Sequence, residues 1–193
     1  WVEVWSDEGG IVRGELLVGS YDARNGEIAD PVLWTDCPTS FPGVPSISRC
    51  GGDLLVMFSD RAALRTSPGS EPLLCARFDG KRFYDVRQVR TLGRNFAARG
   101  VQFYDRYYLV YQSDAAYPTG QGMYMDIALG RLASGGLRAA VDSQAFIAGL
   151  PYVADMKCNA RPDITVLGDA LYTVCGKRDG LPDSDPYLWG GGT

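Results

Sequence analysis

Apolar residues in this chain fall in short runs separated by Gly, Asp, Ser and Pro, and none recurs at the three-and-four spacing of an amphipathic helix. The pattern predicts strands. One stretch shows the order plainly: Pro45-Ser46-Ile47-Ser48, a turn at Gly51-Gly52-Asp53, then Leu54 to Phe58. A longer loop with Ser67-Pro68-Gly69 follows, then Leu73 to Phe78, the turn Asp79-Gly80, and Phe83 to Val89. Asp-Gly between apolar runs predicts a type I′ hairpin, which needs positive φ at both central residues. A later stretch repeats the order: Val101 to Tyr104, a turn at Asp105-Arg106, Tyr107 to Tyr111, Ile127 to Leu132, Ser134-Gly135-Gly136, and a last strand within Ala139 to Ile147.

A phrase ending in Ser-Asp marks the period. It closes Val2 to Asp7, Leu55 to Asp60 and Leu109 to Asp114, and a degraded copy runs from Tyr172 to Lys177. The steps between copies are 53, 54 and 63 residues, so the chain is a repeat array. Its third strands align as Leu17 to Tyr21, Leu74 to Phe78 and Ala128 to Leu132, each with a small residue two places before a large one. Small residues at a fixed place suit close approach between sheets.

The second strands are apolar at nearly every position, as strands buried on both faces are. A β-sandwich would alternate apolar and polar more clearly. The expectation is therefore an all-β β-propeller of four-stranded antiparallel blades packed face to face around an axis, about four blades being represented. Blade units are expected near 1–36, 37–92, 93–150 and 151–193, as a single domain. Because the chain opens at a second strand and ends near a third, around Tyr187-Leu188-Trp189, it is expected to be an incomplete part of a ring of five or more blades. The missing strands would come from elsewhere in the same protein or from a partner chain. An irregular four-bladed ring is the competing arrangement.

Composition narrows the function. Net charge is −4 and the basic residues are dispersed, which argues against nucleic acid. No apolar run reaches the length of a bilayer span, so no membrane insertion is expected. Histidine is absent, which removes Ser-His-Asp and Cys-His chemistry and histidine-ligated zinc from within this chain. Acid-base work falls to carboxylates. Five cysteines lack zinc-site spacing. Cys75 is the expected odd one, a small core residue in the place of Val18 and Leu129. Cys37 with Cys50, and Cys158 with Cys175, each bracket a connection between repeats and are candidate disulfides in an oxidising compartment.

The repeat places Asp7, Asp60, Asp114 and Lys177 at the ends of second strands, on the face where first strands begin. Val44, Arg99 and Arg161 fall just before those first strands, with Asp163 one step into the channel. Carboxylates and guanidiniums converging on a concave mouth suit sugar hydroxyls and an acid-base pair. An Asp after a strand also caps a turn through its own backbone, which is the plainer reading of each Ser-Asp copy. Tyr104, Tyr107, Tyr108, Tyr111, Tyr117 and Tyr124 crowd the third unit; most are expected to pack between blades, with Tyr117 and Tyr124 exposed. Asp179, Asp183 and Asp185 alternate in one loop, a pattern that suits calcium but lacks the helix-loop-helix spacing. No metal or other cofactor is assigned.

The hairpins Gly100-Val101-Gln102-Phe103-Tyr104-Asp105-Arg106-Tyr107-Tyr108-Leu109-Val110-Tyr111 and Arg161-Pro162-Asp163-Ile164 running on to Tyr172 resemble those of glycosidase propellers. The likeness is to the five-bladed family 43 and family 32 type, and more faintly to sialidases. The Ser-x-Asp-x-Gly-x-x-Trp box of sialidase turns is absent, Asp79-Gly80-Lys81-Arg82-Phe83 standing in its place. Of five glutamates, only Glu3 lies on a predicted first or second strand. The resemblance implies a carbohydrate-active protein engaging a glycan at the channel mouth, at the cell surface or outside the cell. Asp163 and Asp114 are the candidate catalytic carboxylates; Arg99, Arg161, Asp60 and Tyr117 are the candidate substrate contacts. Two alternatives follow from the same fold: a lectin or adhesin module without turnover, and a surface-decorating unit that makes protein contacts.

Overall fold

The computed structural model describes residues 2–5, 11–67, 70–90, 93–113, 126–132, 141–146 and 159–177. Strand β1 (Val2–Trp5) pairs with β2 (Ile11–Glu15), and β3 (Leu17–Val18) continues past Leu16. A hairpin of β4 (Tyr21–Asp22) and β5 (Glu27–Ile28) extends outward before β6 (Val32–Leu33) returns to pair with β3. Strands β7 (Pro42–Cys50), β8 (Asp53–Asp60), β9 (Leu73–Phe78) and β10 (Phe83–Arg90) form one four-stranded antiparallel sheet in chain order. A second such sheet holds β11 (Asn95–Phe103), β12 (Arg106–Ser113), β13 (Asp126–Leu132) and β14 (Val141–Phe146). Strands β15 (Asn159–Leu167) and β16 (Ala170–Lys177) pair as a hairpin. Among the described residues no helix is long and apolar enough to cross a membrane.

The unbroken apolar run of β8 has a direct physical outcome. Successive side chains of a strand point to opposite faces. Val56 and Phe58 therefore pack with Leu16, Trp34, Ala76 and Phe78 on one side, and Leu55 and Met57 with Cys75, Leu109 and Tyr111 on the other. Strand β12 divides the same way: Tyr107, Leu109 and Tyr111 face the β7–β10 sheet, while Tyr108 and Val110 meet Ile164 and Leu171. Sheets are thus stacked face to face, with an apolar layer between each pair. Burying one such side chain stabilises the stack by about 1.5–3 kcal/mol. The first strands are neighbours as well, β7 packing against β11 and β11 against β15.

The three hairpins that open these sheets share one template. Strands β7, β11 and β15 each have nine residues and lead through a two-residue turn into the next strand. Gly51 and Gly168 supply the positive φ (66° and 58°) at the first turn position. Tyr104 stands in the same place with φ 54°, although its side chain is 69% exposed. A non-glycine residue held there costs about 1–3 kcal/mol.

Several expectations need correction. Hairpin register matches Gly43 with Phe96 and Ala160, so Ser59 corresponds to Gln112 and Asp60 to Ser113. The third Ser-Asp copy therefore lies one residue beyond its structural counterpart. The first strands also begin three to six residues earlier than their apolar runs suggest, because bulges interrupt them. In the first unit the third strand starts at Ile11, not Leu17, since Val4 pairs with Arg13 as Met57 pairs with Cys75. The small-x-large motif there is Gly14-Glu15-Leu16, with Gly14 so close to Phe41 that a Cβ would come within 2.9 Å of its ring. Cys75 accordingly matches Arg13 rather than Val18.

The Asp79-Gly80 turn is a four-residue loop joining Phe78 to its partner Phe83, with positive φ at Gly80 alone. The carboxylate of Asp79 organises it by accepting the backbone N–H groups of Lys81 (2.9 Å) and Arg82 (3.0 Å). Cys37 and Cys50 are both free thiols. They pack against different apolar layers, on opposite sides of the β7–β10 sheet, so no disulfide can join them. Cys158 and the calcium-like loop of Asp179, Asp183 and Asp185 lie outside the described residues, and the Cys175 side chain is not among those described.

Candidate functional site

The same irregularity opens all three first strands. Between Gly43 and Ser46, Phe96 and Arg99, and Ala160 and Asp163, the first strand carries one residue more than its partner. These are β-bulges, which bend a strand and re-aim its side chains. Val44 (φ 45°) and Ala97 (φ 52°) sit at matching bulge positions in left-handed conformation. Arg161 has that place in β15, and Ser46, Arg99 and Asp163 share the place just after the bulge. Sequence spacing set Arg99 level with Arg161; the register sets it level with Asp163, one strand away.

Burial and partners differ among them. Asp163 is exposed, and its Oδ1 accepts the N–H of Ile164 at 2.8 Å. Arg99 is half-buried, with Nη1 donating to the carbonyl of Ala98 at 2.9 Å. The hydroxyl of Ser46 is buried and lacks a hydrogen-bond partner. Arg161 is carried by β15, but its side chain is not among those described; Asp114 and Tyr117 lie outside the described residues. Among the described residues no ion pair joins Arg99, Asp163 and Asp60 to one another.

Asp60 does not cap the turn that follows it: the 3-10 turn over Arg61–Arg65 begins without a side-chain cap bond. Its carboxylate instead accepts the hydroxyl of Thr39, and the Thr39 oxygen in turn accepts the N–H of Phe41 at 3.1 Å. The side chain thereby ties the end of β8 to the segment entering β7. A cleft of ≈ 460 Å³ lies beside this tie, lined by Gly14, Trp34, Thr39 and Ser40 among others.

Sequence reasoning passed over Glu71, the most buried carboxylate among the described residues. Its side chain is 3% exposed and lies 3.9 Å from Arg61 Nε and 3.9 Å from Arg94 Nε. Ser59 Oγ donates to Glu71 Oε1 at 2.6 Å and sits 3.3 Å from the carbonyl oxygen of Gly43, inside the first bulge. The Glu71 backbone receives the N–H of Asn95 at 2.9 Å, and Ser113 Oγ donates to Asn95 Oδ1 at 2.9 Å. One buried network therefore fixes where β7 and β11 begin relative to each other. Its signal in the sequence is slight, because Glu71 sits in a loop and its partners are scattered from Gly43 to Ser113. Among the described residues no group of three or more His, Cys, Asp or Glu is placed to hold a metal ion.

No family model and no curated protein matches the chain. Among solved structures, an α-L-arabinofuranosidase from Lactobacillus brevis superposes with a TM-score of 0.60 at 10% identity. The match covers 97% of this chain and 62% of that one. The fold is a β-propeller. A GH43B protein of a Bacteroides ovatus xyloglucan locus also aligns, with a TM-score of 0.46 at 17% identity over 77% of this chain and 28% of its own. The propeller's stacked sheets are blades, β7, β11 and β15 are their innermost strands, and the blades resemble those of glycosidase-type propellers. The chain spans less than two thirds of the length of the arabinofuranosidase, so its array is a partial propeller by comparison.

Proposed function

We propose that this is a carbohydrate-active propeller of glycoside-hydrolase type, engaging a glycan at the face where the innermost strands begin. One observation carries the reading: a bulge recurs in three adjacent inner strands and leaves Arg99 and Asp163 at matching positions on neighbouring blades. Bulges that re-aim side chains gather beside active sites. A guanidinium and a solvent-exposed carboxylate at matching places on neighbouring blades suit vicinal sugar hydroxyls. In this reading Asp163 and Asp114 form the carboxylate pair. One, as the acid, protonates the departing glycosidic oxygen; the other, ionised, attacks the anomeric carbon or activates water, according to their separation. Arg99, Arg161, Asp60 and Tyr117 contact the substrate, with Asp60 also holding Thr39.

The arabinofuranosidase likeness supports the class of protein and makes arabinose-bearing glycans the first substrates to try. An extracellular or surface location accords with such polymers. A further blade against β15–β16 belongs to the same proposal, supplied by more of the same protein or by a partner chain. The outward residues Leu167, Tyr172 and Val174 are 70%, 52% and 66% exposed, an apolar face of the kind that every other described inner hairpin buries.

The test is a glycan array run beside a hydrolysis assay, on wild type and an Asp163→Asn, Asp114→Asn double variant. Hydrolysis lost with glycan binding kept supports the assignment; hydrolysis unchanged removes it. Binding without turnover in the wild type assigns a lectin, and silence in both assays favours the protein-contact alternative.

A further inference from the structure

At the far end of the inner strands, about 20 Å from the bulges at 3.3 Å per residue, the hairpin turns of the second and third blades enclose a cleft of ≈ 390 Å³. Ser48, Arg49, Gly51, Val101, Gln102 and Tyr104 line it. Its floor is rigid. Gln102 is held at both ends, its Oε1 accepting the N–H of Gly51 at 2.6 Å and its Nε2 donating to the carbonyl of Tyr104 at 3.2 Å. Tyr104 stands at the rim, its ring 4.4 Å from that of Phe103 and its hydroxyl donating to Asp169 Oδ1 of the next blade's turn at 2.8 Å.

Tyr104 is the anomaly. Glycine fills the same left-handed position in the two sister turns, so the backbone calls for glycine here as well. Core packing does not account for the tyrosine, since its side chain is largely exposed. Backbone strain retained at an exposed aromatic residue points to a role for the ring itself. Arg49 lines the same cleft, its Nε donating to the carbonyl of Gly51 at 3.3 Å, and the Asp169 carboxylate meets the Tyr104 hydroxyl just outside the lining. An exposed aromatic ring with a cation in its cleft and a carboxylate at its hydroxyl is a combination that meets a sugar ring. The C–H face stacks on the phenol, and the hydroxyls reach the guanidinium and the carboxylate. The mixed charge argues against a polyanion.

We infer that this cleft is a second glycan-binding site, separate from the bulged face, with Tyr104 as its stacking platform and Arg49 and Asp169 as hydroxyl contacts. The site binds without cleaving, and it stands whether or not the bulged face carries out hydrolysis. It gives the propeller a hold on a polymer away from the face where β7, β11 and β15 begin.

The experiment is affinity electrophoresis of the chain through gels holding arabinoxylan, pectin, barley β-glucan or dextran, with thermal melting in parallel. Wild type is retarded by at least one polymer. Tyr104→Gly, which restores the sister-turn residue, melts no lower than wild type and loses about tenfold or more in affinity, the scale of one aromatic contact. Tyr104→Phe, which keeps the ring and drops the bond to Asp169, retains retardation. Hydrolysis of a short soluble arabinoside by wild type is read separately, so failure of the hydrolase reading and failure of this one remain distinct. Unaltered retardation of Tyr104→Gly overturns the inference, as does free migration of wild type in every gel. A lower melting temperature in Tyr104→Gly with binding intact would make Tyr104 an inter-blade tie and overturn it equally.

Discussion

At Gly100 a missing Cβ lets one blade reach through another. A Cβ built there would fall 2.3 Å from the Tyr107 hydroxyl, which passes over β11 to bond Ser48 of the neighbouring blade. Gly100→Ala has no room and should lower unfolding free energy by about 1–3 kcal/mol, read from urea denaturation. Cys75 shows burial acting on chemistry. Enclosure in the apolar layer disfavours its thiolate and pushes the thiol up to about 12. The folded value lies above the unfolded one of about 8.5. The associated stability is therefore fully present below pH about 8.5 and is lost as pH rises through 12. In native protein at pH 8, peptide mapping after thiol alkylation should find Cys37 and Cys50 modified and Cys75 spared; rapid Cys75 modification would contradict its place in the layer. The sequence already marked Cys75 as a core residue. It could not separate Cys37 from Cys50, because which side of a sheet a thiol faces depends on contacts far away in the chain.

At the scale of elements, the buried second strands were legible because burial on both faces writes itself as an unbroken apolar run, as in Leu54 to Phe58. Bulges write nothing of the kind. Each inserts one residue that no apolar pattern marks, so the strand starts were hidden, and Arg99 aligned by eye with Arg161, two residues short of its partner by register, Asp163. The Ser-Asp phrase misled by a single residue at Ser113. Glu71 stayed hidden because its meaning lies in partners on four different segments. The bulge geometry itself can be tested at Val44, a β-branched residue held at φ 45° with its side chain half out of the fold. Val44→Gly releases that strain and should raise unfolding free energy by about 1 kcal/mol. A fall in stability would mean that side-chain packing, not backbone strain, governs the position.

For the whole molecule, period and strand order carried the propeller reading from sequence to structure, and the superposition on an arabinofuranosidase agrees with it at only 10% identity. Inner hairpins of one template, stacked on apolar layers, free both rims of the array for chemistry. The bulged rim presents Arg99 and Asp163; the turn rim presents Tyr104, Arg49 and Asp169. With no histidine in the chain, the hydrolysis proposed for the bulged rim assigns acid-base work to its carboxylates. The most direct measurement is the initial rate of sugar release from a glycan panel by wild type and by Asp163→Asn at equal folded concentration. The account predicts turnover by wild type and a loss of about a hundredfold or more in the variant. Equal rates from the two proteins would contradict it.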